Sequence, residues 1–254
     1  MVEAAETLHP GAMEERLVWY VSYGSNLDRD RLLCYLQGGR PPAAWRGNVG
    51  ARDATPPRND RAVTIPHALF FADVSHVWTG GVAFVDHEPD PGAATLARAF
   101  LITAGQLADV IAQESARPVG SIELHPHLDD LGDGGRVVIG SGRYDTVLGC
   151  GEIDGIACVT FTGRTSMADT PFTTPAADYL SMVAAGLRAA HGLDDTAVVE
   201  YLRHRPGVVG HLSAESLHAA IALHDAYNPP GGRSGNPPGG RSGNPPGGRS
   251  GDDW

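Results

Sequence analysis

The 254-residue chain contains no lysine: all 19 of its basic residues are arginine. That absence excludes Schiff-base and pyridoxal-phosphate lysines, the phosphate-gripping lysine of a P-loop, and any Ser–Lys dyad. Cysteine is scarce as well, with only Cys34, Cys150 and Cys158. Three thiols in no metal-like pairing point to a reducing, cytoplasmic setting rather than a disulfide framework. Positive charge is in short supply overall: 30 Asp and Glu against 19 Arg give a net charge of −11, a poor match for nucleic-acid phosphates. No apolar run approaches the roughly 18 residues of a membrane span. The first residues, with Glu3, Glu6, Glu14 and Glu15, lack the basic and apolar parts of a signal peptide. A soluble, acidic, cytoplasmic domain with no nucleic-acid or membrane partner is the expectation.

The remaining composition, 42% hydrophobic and 19% charged, suits one globular domain. Its clearest boundary is near the C-terminus. From Asn228 the octapeptide Asn-Pro-Pro-Gly-Gly-Arg-Ser-Gly runs three times, followed by Asp252-Asp253-Trp254. One large apolar side chain in that stretch cannot offset the entropy of ordering it, so 228–254 reads as a disordered tail. Residues 1–16 read as a loose leader, leaving 17–227 as the folded unit.

Within that unit, Leu17-Val18-Trp19-Tyr20-Val21-Ser22-Tyr23 is a β-rich run that stops at Gly24. Asn26 or Asp28 can cap a helix carrying Leu32, Leu33 and Leu36, closed by Gly38-Gly39. The stretch 40–66, rich in Pro, Arg and Asp, reads as a long loop with little regular structure. Strand patterns follow at 68–72, 81–85, 95–103, 137–139, 144–148 and 156–162, interrupted by a helix over 104–117. Helical patterns then cover 175–190, 196–203 and 214–226, with Thr174 and Ser213 as caps. Strands first and helices last indicate an α+β fold rather than alternating α/β.

Two places could carry chemistry. Tyr23-Gly24-Ser25-Asn26 joins a buried strand to a helix start, where unpaired amides and the helix dipole can hold an anion and Ser25 adds a hydroxyl. An ordinary strand–turn–helix connection capped by Asn26 would look the same. The second is the helix opened by the capping box Thr103/Gln106. Its inward stripe of Leu107, Val110 and Ile111 continues at offset seven with Glu114, almost two full turns on. A carboxylate on an apolar stripe is costly unless paired, and a dry recess suits a general base and acid. The alternative is that Glu114 frays toward Pro118 and reaches water or an arginine.

Other features carry less. His125-Pro126-His127 sits in a Gly- and Asp-rich loop and reads as solvent-facing rather than metal-binding. Cys150 would be a nucleophile only beside a positioned histidine. No Gly-x-Ser-x-Gly elbow is present, and the Gly-Arg-Ser-Gly of the tail is too unstructured to count. Trp78-Thr79-Gly80-Gly81 marks a tight turn into a strand, with Trp78 in the core.

Taken together, Tyr23-Gly24-Ser25-Asn26-Leu27, then Phe70-Phe71, Ser75 and Trp78-Thr79-Gly80-Gly81-Val82-Ala83, then Arg98-Ala99-Phe100-Leu101-Ile102 leading to Ala112-Gln113-Glu114, resemble the γ-glutamylcyclotransferase-like family. Asp178-Tyr179-Leu180 through Gly186 to His191-Gly192-Leu193 is similar to the helical C-terminal part of larger bacterial members. The resemblance implies a small mixed β-barrel or sheet with flanking helices and an open cavity beside the first turn. It also implies a cofactor-free, metal-free reaction, in which the α-amine of a γ-glutamyl amine or peptide attacks its own side-chain amide and releases 5-oxoproline. In that reaction Glu114 would move the proton. Tyr23, Gly24, Ser25 and Asn26 would form the anion-holding turn, and Tyr144 would add a hydroxyl contact. The alternatives are an amide hydrolase or acyltransferase using the same cavity, and a non-catalytic module binding an anionic ligand.

Overall fold

The structure, a computed structural model, describes residues 16–41 and 47–227. The expected tail, and the expected leader apart from Arg16, lie outside the described residues. The chain opens with β1 (Leu17–Ser22), a 3-10 turn (Ser25–Leu27) and α1 (Arg29–Gln37). Strands β2 (Asn59–Ile65), β3 (Leu69–Ala72), β4 (Val82–Val85) and β5 (Thr95–Thr103) follow, and β5 runs directly into α2 (Ala104–Glu114). A 3-10 turn (His125–His127) continues as the short α3 (Leu128–Leu131), ahead of β6 (Asp133–Val138), β7 (Thr146–Ile153) and β8 (Ile156–Thr162). The chain then becomes helical: α4 (Ala177–His191), α5 (Asp195–Arg203) and α6 (Ala214–Tyr227).

Six strands form one mixed sheet in the order β2-β5-β1-β8-β7-β6, and β3 and β4 pair separately. Every neighbour is antiparallel except β1 and β8, where Trp19 faces Cys158 and Tyr20 faces Val159. This is the α+β architecture that the order of elements indicated, with helices flanking the sheet and a helical C-terminal part. The core lies between sheet and helices, around Trp19, Phe70, Phe71, Phe100, Leu107 and Ile111. Each such side chain contributes about 1.5–3 kcal/mol by leaving water.

Local chemistry sets the ends of the elements. Asp28 caps α1 by accepting from the Asp30 N–H, and Gly38 closes it. Thr103 and Gln106 complete the reciprocal capping box that starts α2. Helix α4 begins after Ala176, with no side-chain cap, so Thr174 does not serve the role expected of it. A further correction concerns 40–66, where residues 59–65 form β2, in register with β5 from Asn59↔Leu101 to Ile65↔Thr95. As an end strand with a mostly solvated face, β2 needs few apolar residues and leaves no hydrophobic alternation to read. Strand β7 likewise starts later than expected, so Tyr144 precedes it.

Candidate active site

The central cross-connections put the end of β1 and the end of α2 side by side. Strands β1 and β5 pair along their whole lengths, from Leu17↔Thr103 to Ser22↔Arg98. Because α2 continues from β5 and doubles back, its last residue, Glu114, returns to the level of the turn that follows β1. The turn is held from the other side by α4. A Cβ at Gly186 would lie 2.2 Å from the Leu27 Cβ and 2.6 Å from the Asp28 nitrogen, so only glycine admits this approach. Gly24 is required for a similar reason: a side chain there would meet the Tyr179 hydroxyl at 2.9 Å.

Between these elements lies a cavity of about 610 Å³, a size suited to a small molecule. All six residues singled out from the sequence, Tyr23, Gly24, Ser25, Asn26, Glu114 and Tyr144, line it. Glu114 is half-buried and is the single carboxylate among the lining residues. Asn26 Nδ2 donates to Glu114 Oε1 at 3.1 Å and is also within 3.2 Å of the Tyr20 hydroxyl. The charge of Glu114 also acts on the Tyr35 hydroxyl and helps keep it protonated. The carboxylate is therefore anchored at the helix end rather than frayed into solvent.

Five tyrosines surround the carboxylate, and all five keep their protons. Burial is the first cause in each case: it raises Tyr20, Tyr23, Tyr35 and Tyr144 above the ordinary phenol range and pushes Tyr179 up to about 12. Several of these hydroxyls are already committed. Tyr23 donates to the Phe161 carbonyl at 2.7 Å, and Tyr144 to the Ala83 carbonyl at 3.2 Å, while their rings wall the cavity. Tyr144 packs edge-on against Phe161, which in turn stacks on Tyr20.

Two residues that sequence reasoning missed sit at the centre. The Tyr179 hydroxyl accepts from the Ala83 N–H at 3.0 Å and keeps its own proton to donate. The second is Arg31, only 6% exposed on α1. Its Nη2 donates to the Tyr35 hydroxyl at 2.6 Å, and the guanidinium lies 4.4 Å from the Tyr35 ring centroid and 5.7 Å from that of Trp78. Among the described residues its Nε has no hydrogen-bond partner and no carboxylate lies within ion-pair distance. Asn26 Oδ1 is a second buried atom without a partner. Ring contacts worth about 2 kcal/mol offset only part of burying a cation, which costs several kcal/mol.

Arg117 and Arg143 lie at the same cavity but are engaged, Arg117 with the Ser121 carbonyl and Arg143 with Asp73 and the Val74 carbonyl. The histidines of the His125 turn and Cys150 are not among the lining residues. Among the described residues, no group of three or more His, Cys, Asp or Glu side chains is placed to hold a metal ion.

With this geometry in view, the chain can be set beside known proteins. No family model matches it. Over 122 residues it is 38% identical to a protein described as histone deacetylase 5 from Arabidopsis thaliana; the match covers 47% of this chain but only 18% of that protein. Among solved structures, one described as gamma-glutamyl cyclotransferase is similar with a TM-score of 0.46 and 16% identity, covering 82% of this chain and 99% of that one. A crystal structure of an uncharacterized protein from Homo sapiens is similar with a TM-score of 0.44, at the same identity and coverage. Among the described residues, no helix is long and apolar enough to cross a membrane.

Proposed function

We propose that the chain is a cyclotransferase acting on γ-glutamyl amides, releasing 5-oxoproline and a free amine or amino acid. The observation that carries this reading is the 3.1 Å hydrogen bond between Asn26 and Glu114, which joins the turn after β1 to the end of α2 on one cavity wall. Cyclisation uses the substrate's own amine as nucleophile, so it asks of the protein a proton carrier, an oxyanion donor and a shape that folds the glutamyl chain.

Each requirement has a candidate. Glu114 takes a proton from the α-ammonium, and the freed amine nitrogen attacks the γ-carbonyl carbon to close a five-membered ring. The Tyr179 hydroxyl, which accepts from the Ala83 N–H and keeps its own proton, donates to the oxygen that becomes negative. Protonated Glu114 then gives its proton to the departing nitrogen, the old amide bond breaks, and the oxyanion returns to a carbonyl. The second proton of the ring nitrogen follows through Glu114 to the released amine, which leaves as an ammonium. No proton is gained or lost overall, and the carboxylate is regenerated. The Tyr20, Phe161 and Tyr144 rings keep water from the reacting atoms.

The reading is tested by incubating the full-length chain with γ-glutamyl amines, γ-glutamyl dipeptides and glutathione and analysing the products by mass. Release of 5-oxoproline is expected. Free glutamate would point to a hydrolase instead, and binding without any product to a ligand-holding module.

A further inference from the structure

We infer that Arg31 holds the α-carboxylate of the glutamyl group, so that the cavity selects a free α-amino-acid head. This rests on the γ-glutamyl reading above and reassigns a task that the sequence had given to the turn amides. Arg31 is the better receptor: a guanidinium 6% exposed, permanently charged, lining the cavity with Nε unpartnered among the described residues.

Its position relative to Glu114 matches the head group. The Tyr35 hydroxyl accepts from Arg31 at 2.6 Å, and Arg31, Tyr35 and Glu114 line the same cavity, with the carboxylate charge acting on both the phenol and the guanidinium. An α-amino acid presents its carboxylate and ammonium on a single carbon, and can place one on Arg31 and the other on Glu114. Asn26 Oδ1, the other unpartnered buried atom, supplies an additional acceptor for the ammonium. Both orphans of this wall are thus satisfied by one zwitterionic ligand, as buried polar groups require. The Tyr35 and Trp78 rings hold the guanidinium before the ligand arrives, so little rotamer freedom is lost on binding.

The test is calorimetric, using 5-oxoproline and its methyl ester as probes on the full-length chain. Removing one partner of a buried charge pair weakens binding by about 30-fold or more. Wild type is therefore expected to bind the acid at least that much more tightly than the ester. Arg31→Gln should lose the preference, and Arg31→Lys should recover part of it. In turnover, Arg31→Gln should raise KM far more than it lowers kcat. An Arg31→Gln protein that keeps the preference for the acid would overturn the inference. Should that variant not fold, wild type alone decides: equal binding of acid and ester, or no binding of the acid, overturns it too. Failure of the γ-glutamyl reading shows separately, as no 5-oxoproline released from any γ-glutamyl amide while the acid still binds.

Discussion

A carboxylate held by a carboxamide is fixed in direction without being paired to a cation. That distinguishes Glu114 from Asp109, five residues earlier on α2. Asp109 receives the backbone N–H and the guanidinium of Arg52 and the N–H of Gly120, and serves to pin loops to the helix. Direction matters for proton transfer, since a displaced acid loses rate steeply. Asn26→Ala should therefore lower kcat by about tenfold to a hundredfold through misplacement of Glu114. It should cost only about 1 kcal/mol of stability, one hydrogen bond's worth. Rates at saturating substrate, set against melting temperatures, check this; an unchanged kcat would mean that Asn26 does not position the acid. Residues of this kind were partly legible in the sequence. Glu114 announced itself by breaking an apolar stripe, and the turn by its glycine. Arg31 did not, because an arginine on an amphipathic helix looks solvated until Tyr35 and Trp78 are seen to enclose it.

Elements were legible where they carry an apolar face or a cap, as with β5, α2 and the final helices. They were not legible where pairing alone defines them, as with β2, or where a helix start lacks a side-chain cap, as with α4. One contact between elements has a pH signature. His224 on α6 lies 3.2 Å from Asp28, the residue that caps α1 beside the turn after β1, and 3.7 Å from Asp225. The hydrogen bond to Asp28 is the main cause that raises the His224 pKa above its ordinary 6.5. A raised folded value means the folded state binds the proton more tightly. The pair thus stabilises fully below pH 6.5 and loses its contribution as pH climbs through the folded value. The melting-temperature gap between wild type and His224→Gln should accordingly be larger at about pH 6 than at about pH 8.5. A gap that widens with pH would contradict the pairing.

For the whole molecule, the contrast of charge is the main feature. A chain of net charge −11 lines one cavity with Arg31, Arg117 and Arg143 against a single carboxylate, a local reversal that favours an anionic ligand. The repeat tail adds nothing to that site by its composition: after Tyr227 the one large apolar side chain is Trp254. Ending the chain after Tyr227 should shift the melting temperature by less than about 2 °C and leave turnover unchanged. A larger drop in calorimetry would assign the repeats a structural role. The overall architecture was readable from the order of strands and helices. The parallel β1–β8 contact that joins the two halves of the sheet was not, since pairing across more than a hundred residues leaves no local pattern.

The most direct measurement compares 5-oxoproline release by wild type and Glu114→Gln, with the melting temperature of each recorded alongside. The substitution keeps shape and one hydrogen-bonding oxygen while removing the basic oxygen that takes up and returns the proton. Turnover should fall by about 100- to 10,000-fold with the fold intact. Equal rates in the two proteins would show that no proton passes through this carboxyl, and the proposed chemistry would then fail.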